Sequence, residues 1–123
     1  MAFPGSWLGA VPAATTAPAT AGSFGAPTTL TIAGGLATKT VDTKNLLLSG
    51  AGGVADDLDR VLGYDEGDMI IISPSDDAVT ITVKDAVGMN LQGVDFIMDD
   101  INDSMILLNQ GSDTWKELSR SAN

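Results

Sequence analysis

Cysteine and histidine are both missing from this chain. Without cysteine there is no disulfide, no thiolate nucleophile and no sulfur ligand for zinc. Without histidine the commonest general base is gone, and a Ser-His-Asp triad is impossible. Basic residues are scarce, 6 Lys and Arg against 16 Asp and Glu, for a formal net charge of −10. That balance argues against nucleic acid as a partner, because a phosphate backbone demands Lys and Arg. An anionic membrane surface is disfavoured for the same reason. No run approaches the roughly 18 apolar residues of a membrane-spanning helix. Aromatics make up 5% of the chain, and only Tyr64, Phe96 and Trp115 lie beyond residue 27. These are too few to build both a core and a sugar-binding platform, so carboxylates paired for glycoside hydrolysis would lack a cleft.

Charge is also absent from the whole N-terminal stretch: the first charged residue is Lys39. Residues 1–27 hold four of the 5 prolines (Pro4, Pro12, Pro18, Pro27) among Ala, Thr, Gly and Ser. Pro and Gly block regular structure, and the apolar groups are too sparse to offset chain entropy. This segment therefore reads as an extended N-terminal arm whose order must come from a neighbour. Phe3, Trp7, Leu8 and Val11 are candidate anchors, large apolar side chains on a flexible backbone that each fill a partner's pocket. Phe24, and Leu30 and Ile32 just beyond the arm, extend the candidate partner-binding set. Pro12 to Ala21 is a low-complexity spacer with polyproline character. Ala19-Thr20-Ala21 has the look of a cleavage site, but no positive n-region precedes it and prolines break the apolar stretch, so a signal peptide is not expected.

From residue 28 to 123 the pattern becomes that of one all-β domain. Thr29-Leu30-Thr31-Ile32 alternates polar and apolar, as a half-buried strand does. Gly34-Gly35 is a turn signal, with Ala37 to Val41 as the returning arm of a hairpin. Leu46-Leu47-Leu48, Met69 to Ile72 and Met105 to Leu108 are short continuous apolar runs expected as buried strands. Val79 to Val83 alternates strictly. Leu91, Phe96 and Met98 suggest an irregular pair, and Thr114 to Leu118 the final strand after an Asn109–Asp113 turn. Val54 to Leu62 is the one expected helix, with Val54, Leu58, Val61 and Leu62 on one face and Gly63 as its stop. The expected fold is a small β-sandwich or barrel of short antiparallel strands with one short helix.

The acidic clusters are the main candidates for chemistry. Asp99-Asp100-Ile101-Asn102-Asp103 comes nearest to a calcium loop, yet none of the clusters has the spacing of an EF-hand. Aspartate in turns accounts for them without a ligand. No metal, cofactor or catalytic residue is therefore assigned, and the chain is expected not to be an enzyme. Neither Gly34-Gly35 nor Gly50 to Gly53 is followed by the Lys-Ser/Thr of a phosphate loop. Trp115 is expected in the core, its indole N–H bonded to a nearby carbonyl.

Several segments together resemble β-rich modules of tailed-bacteriophage structural proteins. They are Ala55-Asp56-Asp57-Leu58-Asp59, Gly67-Asp68-Met69-Ile70-Ile71-Ile72, Thr80-Ile81-Thr82-Val83-Lys84-Asp85, and the ending Met105 to Leu108 followed by Thr114-Trp115-Lys116-Glu117-Leu118-Ser119-Arg120. A small body behind a Pro/Ala/Thr-rich arm is similar in plan to capsid decoration, or cement, proteins. The resemblance implies a virion protein on the outer surface of the capsid, a homotrimer whose partner is the major capsid protein. Two other functions stay open: a tail-fibre, head-fibre or spike module for receptor binding, and a carbohydrate-binding or hydrolytic β-domain.

Overall fold

The computed structural model describes residues 23–52 and 54–123, and these are all-β. Eleven strands are present: β1 (Thr28–Ile32), β2 (Leu36–Thr38), β3 (Asn45–Gly50), β4 (Ala55–Leu58), β5 (Arg60–Leu62), β6 (Met69–Pro74), β7 (Thr80–Val83), β8 (Met89–Asn90), β9 (Phe96–Met98), β10 (Ser104–Gly111) and β11 (Thr114–Ser121). They form a six-stranded sheet in the order β1-β3-β6-β10-β11-β8, a β2-β5 pair and a three-stranded sheet β4-β7-β9.

The expected antiparallel sandwich or barrel is corrected by the pairing. β1 with β3, β3 with β6, β2 with β5 and β4 with β7 are all parallel. The chain winds in coils, from the six-stranded sheet through the three-stranded sheet and the β2-β5 pair and back, so each strand lies on its equivalent in the previous coil. The first coil is short, passing from β1 directly to β2. This is a solenoid-like stack rather than two facing sheets. Only the last part of the chain turns antiparallel: β9 on β7, and the β10-β11 hairpin on β6.

The reason lies at the corners. Gly34-Gly35 does not close a hairpin. The only antiparallel contact there is the single Ala33–Leu36 bridge, and β2 instead pairs with β5. The Gly35 carbonyl accepts the N–H groups of Asp59 (2.7 Å) and Arg60 (3.2 Å), so one corner is bonded onto the next. A Cβ on Gly35, which has φ +83, would run into the Asp59 side chain. The corner thus needs glycine both for its conformation and for the close approach of the coil beside it.

The expected helix over Val54 to Leu62 is likewise corrected: those residues form β4 and β5 with a corner at Asp59. Leu58 and Val61 are fully buried, but Val54 is 72% exposed. Leu58 faces inward from the three-stranded sheet and Val61 from the β2-β5 pair. A chain rounding a corner therefore buries two residues three apart, as a helix face would. A two-turn helix has little stability of its own, and the neighbouring coils offer backbone partners instead.

The core is one cluster enclosed by the three sheets. Leu30 and Ile32, Leu46 and Leu48, Ile70 and Ile72, and Met105 and Leu107 line it from the six-stranded sheet. Ile81, Val83, Phe96 and Met98 line it from the three-stranded one. Trp115 is fully buried and its indole Nε1 donates to the Val61 carbonyl (2.9 Å). The β10-β11 turn places Ser112 and Asp113 at φ 55 and 56, the two-residue left-handed turn that suits a twisted hairpin.

Candidate functional site

Many of the carboxylates are taken up by the fold's own turns. Asp103 is buried and accepts N–H bonds from Asp99 (2.9 Å), Asp100 (3.1 Å) and Asn123 (2.6 Å). The Asn123 N–H, followed by those of Asp99 and Asp100, holds its carboxyl below the usual range against the opposing effect of burial. Asp100 accepts from Asn102, Asp76 from Ala78, Asp77 from Ile101 and Asp85 from Leu91. Asp95 takes the Asp85 N–H and pairs with Lys84 at 2.7 Å. Among the described residues no group of three or more acidic, His or Cys side chains converges as a metal cage.

Glu117 is the other buried carboxylate. Its buried carboxylate is gripped by Arg120, whose Nε and an Nη lie 2.6 and 2.7 Å from it, and it accepts the Gln92 N–H at 2.8 Å. The Arg120 bond, foremost, holds its pKa below the usual carboxylate value. Arg120 also lies over the Phe96 ring (4.8 Å) and donates to the Val94 carbonyl. Every acceptor of this pair is committed to structure, and the pair closes one end of the core rather than opening to a substrate.

The candidate anchors divide into three groups. Phe3, Trp7, Leu8 and Val11 lie outside the described residues. Leu30 and Ile32 are 2% and 0% exposed and belong to the core. As side-chain anchors they are corrected: what β1 offers a partner is its backbone edge and its outward Thr29 and Thr31. Phe24 is half-buried and lines a groove of about 350 Å³ with Lys44, Gly67, Asp68 and Met69. Residues just before β1 are tied to the body. Lys44 N donates to Phe24 O (3.1 Å), Asn45 Nδ2 to Gly25 O (3.1 Å) and Thr43 Oγ1 to Ala26 O (2.7 Å). Phe24, Gly25 and Ala26 are thus bonded to the body, with Phe24 beside the start of β6.

Two surfaces stand apart from the acidic remainder. One is the edge of β1, which no other strand pairs with among the described residues, and where Thr29, Thr31, Leu36 and Thr38 line a groove of about 430 Å³. Natural sheets commonly guard such an edge with a charge or a proline, and Thr28 to Thr38 contains neither.

The other is the outer face of the six-stranded sheet. Alternation within β3, β6 and β10 turns Leu47, Ile71, Ile106 and Leu108 away from the core, with Met69 44% exposed. The pairing sets Ile71 against Ile106 and Met69 against Leu108. This face was not foreseen as a surface. Its signal was present in the runs Leu46-Leu47-Leu48, Met69 to Ile72 and Met105 to Leu108. A strand with only one face in the core needs every second residue apolar, so continuous runs leave half their apolar side chains outside.

No protein-family model, no curated protein and no solved structure matches this chain.

Proposed function

We propose that this chain is a viral structural protein, a capsid decoration protein that stabilises an icosahedral phage head by clamping neighbouring major capsid proteins. The observation that carries the proposal is the division of labour along the chain. Residues 1–38 carry no charged side chain, whereas the β-body is acidic and its buried carboxylates are committed to its own backbone and Arg120. Binding capability therefore resides in the arm and the neutral surfaces. A clamp holding two capsid subunits raises the cost of separating them, and several arms on one oligomer act at high effective concentration. The backbone edge of β1 adds main-chain hydrogen bonds to a partner sheet with little demand on sequence. Phe3, Trp7 and Leu8 are proposed as the leading anchors, offsetting the entropy of ordering the arm.

Deleting residues 2–22 tests this. The body is expected to remain folded and to lose binding to capsids lacking the protein. Normal decoration by the truncated chain would refute the clamp.

A second function, a fibre or spike module for receptor binding, is favoured by the open β1 edge, onto which a further coil could stack. It predicts a handful of copies per particle instead of hundreds, which densitometry against the capsid protein distinguishes.

A further inference from the structure

We propose that the outer face of the six-stranded sheet is the surface through which copies of this chain pack on one another. Five adjacent strands, from β1 across to β11, make it about 20 Å wide at the usual strand spacing. Its centre is the apolar set Leu47, Met69, Ile71, Ile106 and Leu108. Around it stand Thr31 and Ser49, whose hydroxyls are 3.1 Å apart, with Thr29, Ser73 and Ser119 in register beside Leu47 and Ile106. In a chain of net charge −10, no carboxylate faces outward from this sheet between β1 and β10. The nearest charge on it is Lys116, at the β11 margin opposite Leu108.

Three considerations select a second copy as the occupant. Strands with apolar residues on both sides are built to be covered on both sides, and the core covers only one. Two like copies repel through the carboxylates that cover most of the remaining surface, so they approach closely where none are present, and this face is broader than the narrow β1 edge. Finally, the polar members of the face are hydroxyls, which both donate and accept. Such a surface is complementary to itself, as a two-fold or cyclic contact requires, and it holds no counter-charge for a basic or acidic partner. The surface serves the self-association that belongs to the decoration proposal, but it rests on this sheet alone. Its test uses the purified chain without capsids, so either proposal can fail without the other.

The test is sedimentation of the full-length chain across a concentration series, beside Ile71→Asp/Ile106→Asp. Both positions point away from the core, and the new carboxylates would meet their counterparts across the contact. The native chain is expected as a defined assembly of two or more copies. The variant is expected to associate about tenfold more weakly or worse, with its circular dichroism unchanged. Thr82→Lys, outward on the three-stranded sheet, is expected to associate like the native chain. If the aspartates disturb folding, Ile71→Thr/Ile106→Thr keeps the β-branched shape, and its weakened association decides the matter. A native chain that stays monomeric throughout overturns the proposal, as does a charged variant that assembles normally. A chain that assembles only after residues 2–22 are deleted also overturns it, because its own arm would then be the cover.

Discussion

Tyr64 and Trp115 meet edge to face, ring centroids 5.8 Å apart at 72°, and each sends its polar tip to a backbone carbonyl of another segment. The Tyr64 hydroxyl donates to Thr43 O and the indole to Val61 O. The pair ties the C-terminal hairpin to the coil behind it. Burial, with the nearby carboxylates of Asp42 and Asp68, pushes the Tyr64 hydroxyl up to about 12, so it remains a donor across the working pH range. Tyr64→Phe removes that donor and leaves the Thr43 carbonyl short of a partner. A loss of about 1–2 kcal/mol is expected in urea unfolding followed by circular dichroism. Trp115→Ala, which also opens a cavity, is expected to cost about 3–5 kcal/mol.

Arg120→Met tests the plug at the end of the core. It strands the Glu117 carboxylate in a buried site with only the Gln92 N–H. A loss of about 3 kcal/mol is expected. Adding Glu117→Gln to that variant is expected to restore part of it, because the uncompensated charge is then gone. Urea titrations of the single and double variants give the coupling directly.

Acid is expected to destabilise the body through Asp103 and Glu117. Both carboxyls titrate lower in the folded state than in the unfolded chain, so the unfolded chain binds protons first as pH falls. Their contribution is complete above the ordinary carboxylate pKa of about 4 and is lost as pH drops through their depressed folded values. Thermal melts between neutral pH and pH of about 2 should show that decline. Asp103→Asn should lower stability at neutral pH and make the decline shallower.

Gly63→Ala is expected to cost about 2 kcal/mol or more in the same unfolding assay. Its φ is +101, and an added Cβ would sit 2.9 Å from the Lys39 Cβ of the adjoining coil. A neutral result would mean that the corners are looser than the Lys39–Leu62 backbone bond implies.

The strands were largely legible in the sequence, and their arrangement was not. Thr29 to Ile32 and Val79 to Val83 alternate, and both fall in strands, because side-chain period is a local property. Whether Leu46-Leu47-Leu48 pairs in parallel or antiparallel is decided by what the corner at Gly35 bonds to, and Asp59 is far along the chain. Leu58 and Val61 misled for the same reason: three-residue spacing fits a corner between two sheets as well as a helix. Unequal coil lengths concealed the repeat, since Thr28 stacks on Leu46 and Leu46 on the more distant Ile72. For the site, composition exposed the neutral arm at once. The apolar outer face was hidden because a run such as Met69 to Ile72 gives no hint of which side is covered.

The two ends of the stack are finished differently. Among the described residues, the short strand β8 lies on β11 at one end, against Trp115 and Lys116, whereas no strand pairs with the far side of β1. In a structure where each layer leans on the next, opening is easiest at the unsealed layer. Amide protons of β1 and β2 should therefore exchange well before those of β6 and β10. Any molecule that docks along β1 would act as a missing lid, slowing exchange there and raising the melting temperature with the logarithm of its concentration above its dissociation constant.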